Sequence, residues 1–327
     1  LSEYRTQGRG GVGSRGVTTK DDDFTEHLFI AQAHNYLLIF TELGKLYWKK
    51  AYEIPEGNKI SKGRAIQNLI NIEPGDNVRS IINVKNLQDQ NYIDNNYVIL
   101  CTERGIIKKT SLEAYSRPRQ GGITAITIHE GDRLLNASLT NGKNHIIIAK
   151  SEGKAVHFHE SQVRPMGRTA AGVRGVSLDS DTDKVVGMVC ITRDDANLLV
   201  VSEHGYGKRS LIDDYRITNR GGKGVKTINI TEKTGKLVAI REVGDEDELM
   251  IINRSGITIR IKVDELRIMG RATQGVRLIK LNDDDRISSV EKIQRIENEI
   301  KDESGAKPDE NQFGEPPVES PEGTESE

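Results

Sequence analysis

The chain has little of what most function classes require. No apolar stretch approaches the roughly 20 residues that a spanning helix needs, and no charged, apolar, small-residue leader opens it. A soluble, cytoplasmic protein is therefore expected, and with Leu at position 1 the chain is expected to be a fragment. It has only 2 cysteines, Cys101 and Cys190, each inside a β-branched run. Two buried thiols are expected, which excludes a disulfide framework. Aromatics make up 5% of the residues, with a single Trp, a poor supply of stacking platforms for single-stranded bases. There is no Gly-x4-Gly-Lys-Ser/Thr loop. Gly8-x-Gly10-x-x-Gly13 formally matches the dinucleotide fingerprint, but no apolar strand precedes it and no amphipathic helix follows, so the match is rejected. Of 7 histidines only His157 and His159, beside Glu160, have ligand-like spacing, and no third ligand motif accompanies them. Asp213-Asp214 and the run 283–285 fall where turns are expected and read as solvated turns rather than a catalytic carboxylate pair. No catalytic residue, metal or cofactor is expected in this chain.

What is present is an uneven distribution of charge. The net charge is -2, but residues 282–327 hold 15 acidic and 5 basic side chains, leaving 42 basic against 34 acidic before them. The acidic end is rich in Glu, Pro, Ser and Gly, too poor in apolar residues to offset chain entropy, and is expected to be disordered. The expected organisation is a folded body over 1–295 and a disordered acidic tail over 296–327. A short terminal helix is allowed by the weak periodicity of 288–301.

The body repeats. Five apolar runs, 36–40, 97–101, 145–149, 197–201 and 248–252, each lead to a polar turn ending in glycine: Gly44, Gly105, Gly153, Gly205 and Gly256. These turn glycines are separated by 61, 48, 52 and 51 residues. A period near fifty suits a four-stranded unit, and the run-turn-run pattern is a hairpin. Ten residues after each turn glycine stands a bulky residue: Ile54, Tyr115, Val163, Tyr215 and Leu266. Nineteen after it, in four repeats, comes a second glycine (Gly63, Gly172, Gly224, Gly275), with Gly122 two residues early. A third β run follows each (65–72, 123–128, 173–178, 225–230, 276–281), then a charged turn and a fourth run. The first 34 residues fit as half a repeat, since residues 7–13 lie over residues 218–224 at an offset of 211. The expected fold is all-β: a six-bladed, propeller-like β-pinwheel of four-stranded antiparallel blades, the first blade incomplete. A two-sheet sandwich competes with it but does not predict so regular a period.

A basic residue stands beside glycine at the second landmark of every repeat: Arg9 with Gly10, Gly11 and Gly13; Lys62 and Arg64; Arg117 and Arg119; Arg168 and Arg174; Arg220 and Lys223 with Gly221, Gly222 and Gly224; Arg271 and Arg277. The second strands add Lys49, Lys50, Lys108, Lys109, Lys208 and Arg209. Glycine allows close approach of a backbone, and Arg and Lys pair with phosphate. One such element per blade would make a curved positive edge suited to the backbone of double-stranded DNA. The plainer reading is that these charges solubilise blade edges and block edge pairing.

Several stretches resemble the C-terminal DNA-wrapping domain of bacterial DNA gyrase A: Leu1 to Tyr4, the box at 7–13, Lys20 to Phe24, Lys49 to Pro55, Lys62 to Leu69, His204 to Arg209 and Met269 to Val276. The resemblance covers about residues 1–295. It implies a domain that bends and wraps DNA so that the holoenzyme can introduce negative supercoils with ATP. It places the catalytic tyrosine, Mg and ATP elsewhere: in the strand-passing core of the same subunit, and in the ATPase subunit of an A2B2 assembly in the bacterial cytoplasm and nucleoid. The family box usually reads Gln-Arg-Arg-Gly-Gly-Lys-Gly; here Gly8 and Val12 replace two basic positions, while residues 220–224 keep Arg-Gly-Gly-Lys-Gly. Two alternatives remain: the equivalent domain of topoisomerase IV, which selects DNA crossings, and a propeller that binds a protein partner.

Overall fold

In the computed structural model of the chain, which describes residues 6–15, 27, 31–57, 63–282 and 284–294, strands assemble into five four-stranded antiparallel sheets. Each sheet, or blade, is built on a hairpin. In chain order the hairpins are Tyr36–Thr41 with Lys45–Lys50, Tyr97–Thr102 with Ile106–Ser111, His145–Lys150 with Lys154–His159, Asn197–Ser202 with Tyr206–Leu211, and Asp247–Asn253 with Ile257–Lys262. The turn glycines hold positive φ, 77° to 86°, as the hairpin turns require. An inner strand pairs with the first strand of each hairpin: Val78–Val84, Leu134–Thr140, Val185–Ile191, Leu237–Val243 and Ile287–Gln294. These inner strands line an axial cavity of about 450 Å³.

The fourth strand of each blade comes from the next repeat. Ile123–Thr124 follows the second hairpin but pairs with Lys45 and Leu46 of the first. Val173–Arg174, Val225–Lys226 and Val276–Arg277 pair with the second, third and fourth hairpins in the same way. The fifth hairpin takes its fourth strand from the start of the chain, Ser14–Arg15 against Ile257 and Thr258.

This exchange corrects the expected blade count. There are five blades among the described residues, not six, because the opening half-repeat supplies the free edge of the fifth blade instead of founding one. The third runs are also shorter than expected. After two paired residues the chain turns inward, where the N–H groups of Ala125 and Ile126 both reach the Gly44 carbonyl at 2.8 and 3.2 Å. Residues 65–72 form no strand; they hold a 3-10 turn, Ile66–Asn68, and bury Ile70 and Ile72 against Leu37, Ile39 and Tyr47. By the same exchange they would pair with a hairpin before 36–50, and no such hairpin is among the described residues. The helix allowed at 288–301 is overturned by the strand Ile287–Gln294, whose partners 247–253 present a free ladder; its remainder, like the tail, lies outside the described residues.

The first strands of the hairpins carry continuous apolar runs because both faces of each blade are covered. Val98 and Leu100 pack toward the first blade with Leu38, Phe40 and Trp48, while Ile99 and Cys101 pack toward the third with Ile146 and Phe158. Each fully buried Leu, Ile or Phe contributes roughly 1.5–3 kcal/mol. Both cysteines are free and buried, as expected. Tyr115, Val163, Tyr215 and Leu266 are buried plugs between blades, whereas Ile54 is exposed. Several acidic turn residues are buried too. Asp76 and Asp132 accept the backbone N–H of Leu43 and Arg104 at 3.1 and 2.9 Å, and Asp285 accepts Ser255 Oγ at 2.7 Å. Asp285 is thus a turn cap rather than a solvated charge, while Asp213 and Asp214 are exposed as expected.

Candidate nucleic-acid interface

The glycine-rich basic segments become five loops at one edge of the blades: 117–122, 166–172, 218–224, 269–275 and 7–13. Four of them dock in one register. Each opens with a backbone N–H donated to the carbonyl of the fourth residue after a turn glycine: Met166 to Lys109 (2.8 Å), Thr218 to His157 (2.7 Å), Met269 to Arg209 (2.9 Å) and Gln7 to Arg260 (2.8 Å). Each closes on a glycine of positive φ pressed against the hairpin. At Gly275 a Cβ would stand 2.6 Å from the Gly207 carbonyl, and at Gly172 2.6 Å from that of Ile107. That contact excludes any other residue there.

Each loop touches the segment that leaves the loop before it. Thr127 Oγ1, just past loop 117–122, donates to the Thr169 carbonyl at 2.7 Å. Gly221 N–H reaches the Gly175 carbonyl at 2.6 Å, Asn229 N–H that of Thr273 at 3.1 Å, and Gly10 N–H that of Leu278 at 2.6 Å. The corners therefore form one continuous track in the order 117–122, 166–172, 218–224, 269–275, 7–13. Two arginines tie it together: Arg220 donates to the carbonyls of Gln162 (3.0 Å) and Arg174 (2.9 Å), and Arg271 to that of Lys226 (2.9 Å).

The expected contact residues divide. Arg9, Arg64, Arg117, Arg119, Arg174, Lys223 and Arg277 are exposed; Arg168, Arg220 and Arg271 are half-buried. Arg277 leans on the Tyr206 hydroxyl at 2.9 Å. Arg64 is exposed on the one repeat whose third run forms no strand, outside the track. Lys62 lies outside the described residues. Lys49 is half-buried and ion-paired to Glu53 at 3.5 Å, and Lys50 sits 3.5 Å from the Tyr36 ring centroid while donating to the His34 carbonyl.

Four cations are not at the surface. Lys108, Lys109, Lys208 and Arg209 are 0%, 4%, 1% and 6% exposed, so the expected surface contacts are not presented at the surface of the free chain. Lys109 and Arg209 belong to a set that residue type conceals. The fourth residue after four of the five turn glycines donates a side-chain N–H to a backbone carbonyl of the following repeat: Trp48 to Tyr115 (2.9 Å), Lys109 to Glu160 (3.1 Å), His157 to Tyr215 (2.7 Å) and Arg209 to Leu266 (2.5 Å); the fifth, Arg260, donates to the Glu248 carboxylate of its own hairpin at 2.5 Å. Trp, Lys, His and Arg share only a long side chain with an N–H. Lys108 and Lys208 reach outward under the loops: Lys108 Nζ donates to the carbonyls of Ala125 (2.6 Å) and Arg168, and Lys208 Nζ to Gly270 (2.5 Å) and Thr273 Oγ1 (3.1 Å). Burial, with Arg168 nearby, pushes the Lys108 ammonium down to about 8. Burial does the same for Lys208, also to about 8, Asp214 opposing and Arg271 adding.

The structure adds cations that the sequence reading missed. Arg164, Arg216 and Arg267 are exposed at the eleventh position after their turn glycines, and Lys226 is the exposed counterpart of Arg174 and Arg277. Their common phase was the available signal. His157 and His159 gain a third imidazole, His145, from the neighbouring strand. His157 Nε2 and His145 Nδ1 are 3.0 Å apart, and His157 Nδ1 bonds the Tyr215 carbonyl. Among the described residues no group of three His, Cys, Asp or Glu side chains could hold a metal ion, and no helix is long and apolar enough to cross a membrane.

These features define a class: an all-β propeller of four-stranded antiparallel blades whose edge carries a continuous row of cationic glycine loops. The model of the DNA gyrase C-terminal domain, beta-propeller, family matches residues 1–32, 35–85, 96–141, 145–192, 196–243 and 247–294, and the chain belongs to that family. Its first matched stretch contains the strand that completes the fifth blade. The DNA gyrase A protein of Staphylococcus aureus (strain MRSA252) is 41% identical over 300 residues, covering 91% of this chain and 33% of the relative. That of strain NCTC 8325 is 42% identical over 294 residues, 90% and 33%. The chain thus spans about a third of the length of these relatives. A solved DNA gyrase A C-terminal domain superposes with a TM-score of 0.78 at 27% identity, covering 89% of this chain and 94% of that one. The C-terminal domain of DNA topoisomerase IV gives 0.70 at 25%, covering 80% of each.

Proposed function

We propose that this chain binds and bends duplex DNA along its loop track and wraps it for a gyrase, without cutting it. The observation that carries the reading is the continuity of the track: one cationic loop per blade, each hydrogen-bonded to the segment that leaves the loop before it. Bending a 20–30 bp site costs on the order of 1–6 kcal/mol, so phosphate contacts must be spread along an arc to offset it. The exposed arginines and lysines of five consecutive loops are spread in that way. In the holoenzyme the wrap would present DNA to the strand-passing core of the same subunit, with ATP consumed by the partner ATPase subunit of an A2B2 assembly in the bacterial cytoplasm. No catalytic, ATP or Mg chemistry is assigned to this chain.

Two measurements test the reading. If about six phosphates are neutralised, log affinity falls against log salt with a slope near -5. Circular DNA relaxed by a nicking-closing enzyme in the presence of the chain acquires a linking change of one sign. A flat salt dependence, as for a propeller that binds protein, or an unchanged linking number overturns it. Within the track, loop 218–224 replaces the weakened box at 7–13, where Val12 is 67% exposed in a basic slot. Arg220→Ala with Lys223→Ala is expected to reduce bending by more than Arg9→Ala does, measured by energy transfer across an end-labelled duplex.

A further inference from the structure

Two of the five loops rest on a buried ammonium that has no ion-pair partner among the described residues. Lys108 and Lys208 occupy the same slot, the third residue after Gly105 and Gly205; the other three hairpins place Tyr47, Val156 and Ile259 there. Each ammonium has two described acceptors, both in or beside a loop, and neither forms an ion pair with a described carboxylate. The charged groups facing Lys108 are Arg168 alone; those facing Lys208 are Arg271 and the exposed Asp214. Arg168 and Arg271 are themselves equivalent, fifteen residues after Gly153 and Gly256. Tyr115 and Tyr215 pack below, the Tyr115 hydroxyl sharing the Ala125 carbonyl with Lys108 and the Tyr215 hydroxyl bonded to Thr227.

Buried cations are ordinarily paired, because desolvation of a lone ammonium is costly. Here each ammonium is held by backbone or hydroxyl oxygens of a loop that carries a second cation, Arg168 or Arg271, with only the exposed Asp214 opposing at Lys208. We infer that Lys108 with Arg168, and Lys208 with Arg271, form two phosphate subsites, the phosphate resting on the loop above each buried ammonium and supplying the pairing charge that no described carboxylate within ion-pair distance supplies. The inference rests on the DNA-wrapping reading and adds which loops grip hardest and how binding responds to pH. A phosphate beside the ammonium favours its protonated form, so the complex holds more protons than the free chain. Affinity is therefore full below pH 8 and declines as pH rises through 8.

The test is titration calorimetry of the unmodified chain with a duplex fragment long enough to span the five loops, in buffers of different ionisation enthalpy. At pH 8 each free lysine is about half protonated, so about one proton per chain is taken up on binding, falling toward zero at pH 6.5. Between pH 7 and 9 the affinity drops about ten-fold or more. Lys108→Met and Lys208→Met each remove about half of the uptake, and their difference from the unmodified chain cancels any share of the terminal amine. Duplex binding with no proton uptake, or uptake unchanged in both variants, overturns the subsites and leaves the wrapping reading standing. Failure to bind duplex at all overturns both. The measurement on the unmodified chain needs no variant to fold.

Discussion

His157 performs with an imidazole what Trp48, Lys109 and Arg209 perform with other groups: it carries an N–H across to the next repeat. It is the one member of this set that titrates near neutrality. Burial holds it below the ordinary imidazole range, against the opposing pull of the Tyr215 carbonyl and Asp213, and its neighbour His145 is lowered as well, by burial and by the two adjoining histidines. The fold thus favours the neutral ring, and the unfolded chain binds more protons as pH falls through about 6.5. The histidine contribution to stability is expected to be flat above pH 7 and to fall away below pH 6.5 in urea unfolding. His157→Asn, which keeps an N–H donor and discards the titration, flattens that profile. At the non-titrating member, Trp48→Phe leaves the buried Tyr115 carbonyl without its donor and costs about 1–2 kcal/mol at all pH values, by the same measurement.

At the scale of the element, the short fourth strands set the architecture. A two-residue strand has no independent stability; it exists because a loop glycine brings it against the neighbouring hairpin. Gly224 holds φ +80°, and a Cβ there would collide with the Ala155 carbonyl. Gly224→Ala is expected to cost at least about 2 kcal/mol, of which the left-handed backbone alone accounts for roughly 1–2. The local signature is faster amide exchange at Val225 and Lys226, whose partners are Ala155 and Lys154. Salt-dependent DNA affinity falls with it, because Lys223 loses its fixed place. Loss of stability with unchanged exchange in this strand would contradict the account.

At the scale of the whole molecule, the five blades are joined in sequence, each to the next. Leu134 N–H reaches the Glu42 carbonyl, Val185 that of Glu103, Leu237 that of Ser151 and Ile287 that of Glu203, at 2.9, 2.9, 3.0 and 3.1 Å. Strand 14–15 then brings the chain's beginning to its last hairpin. The acidic segment that follows the blades in sequence is proposed to compete with phosphate for the loop track, a screened and therefore salt-sensitive effect. Removing residues 304–327 is expected to tighten DNA binding severalfold at low salt and to change little at high salt, measured by fluorescence anisotropy. Equal affinity at low salt refutes it.

Much of this was legible in the linear chain. The turn glycines, the apolar runs and the bulky plugs recur with a period, and a period constrains hairpins and blades because every repeat must bury the same faces. The register of residues 7–13 on 218–224 holds in space, since both segments dock on a hairpin carbonyl through the same N–H. Pairing between repeats was not legible. Residues 123–124 and 14–15 choose partners by which edge lies free, and free edges exist only once neighbouring blades have packed. Nor could charge be sorted from sequence: Lys108 and Lys223 read alike, but one points beneath a loop and the other into solvent. The sequence by itself determined the repeat, the β class and the row of cationic loops, because these depend on local propensity and periodicity. Only the tertiary structure decided the number of blades, the ownership of their outer strands, and which cations face outward, because those depend on contacts between residues some fifty to two hundred and fifty positions apart.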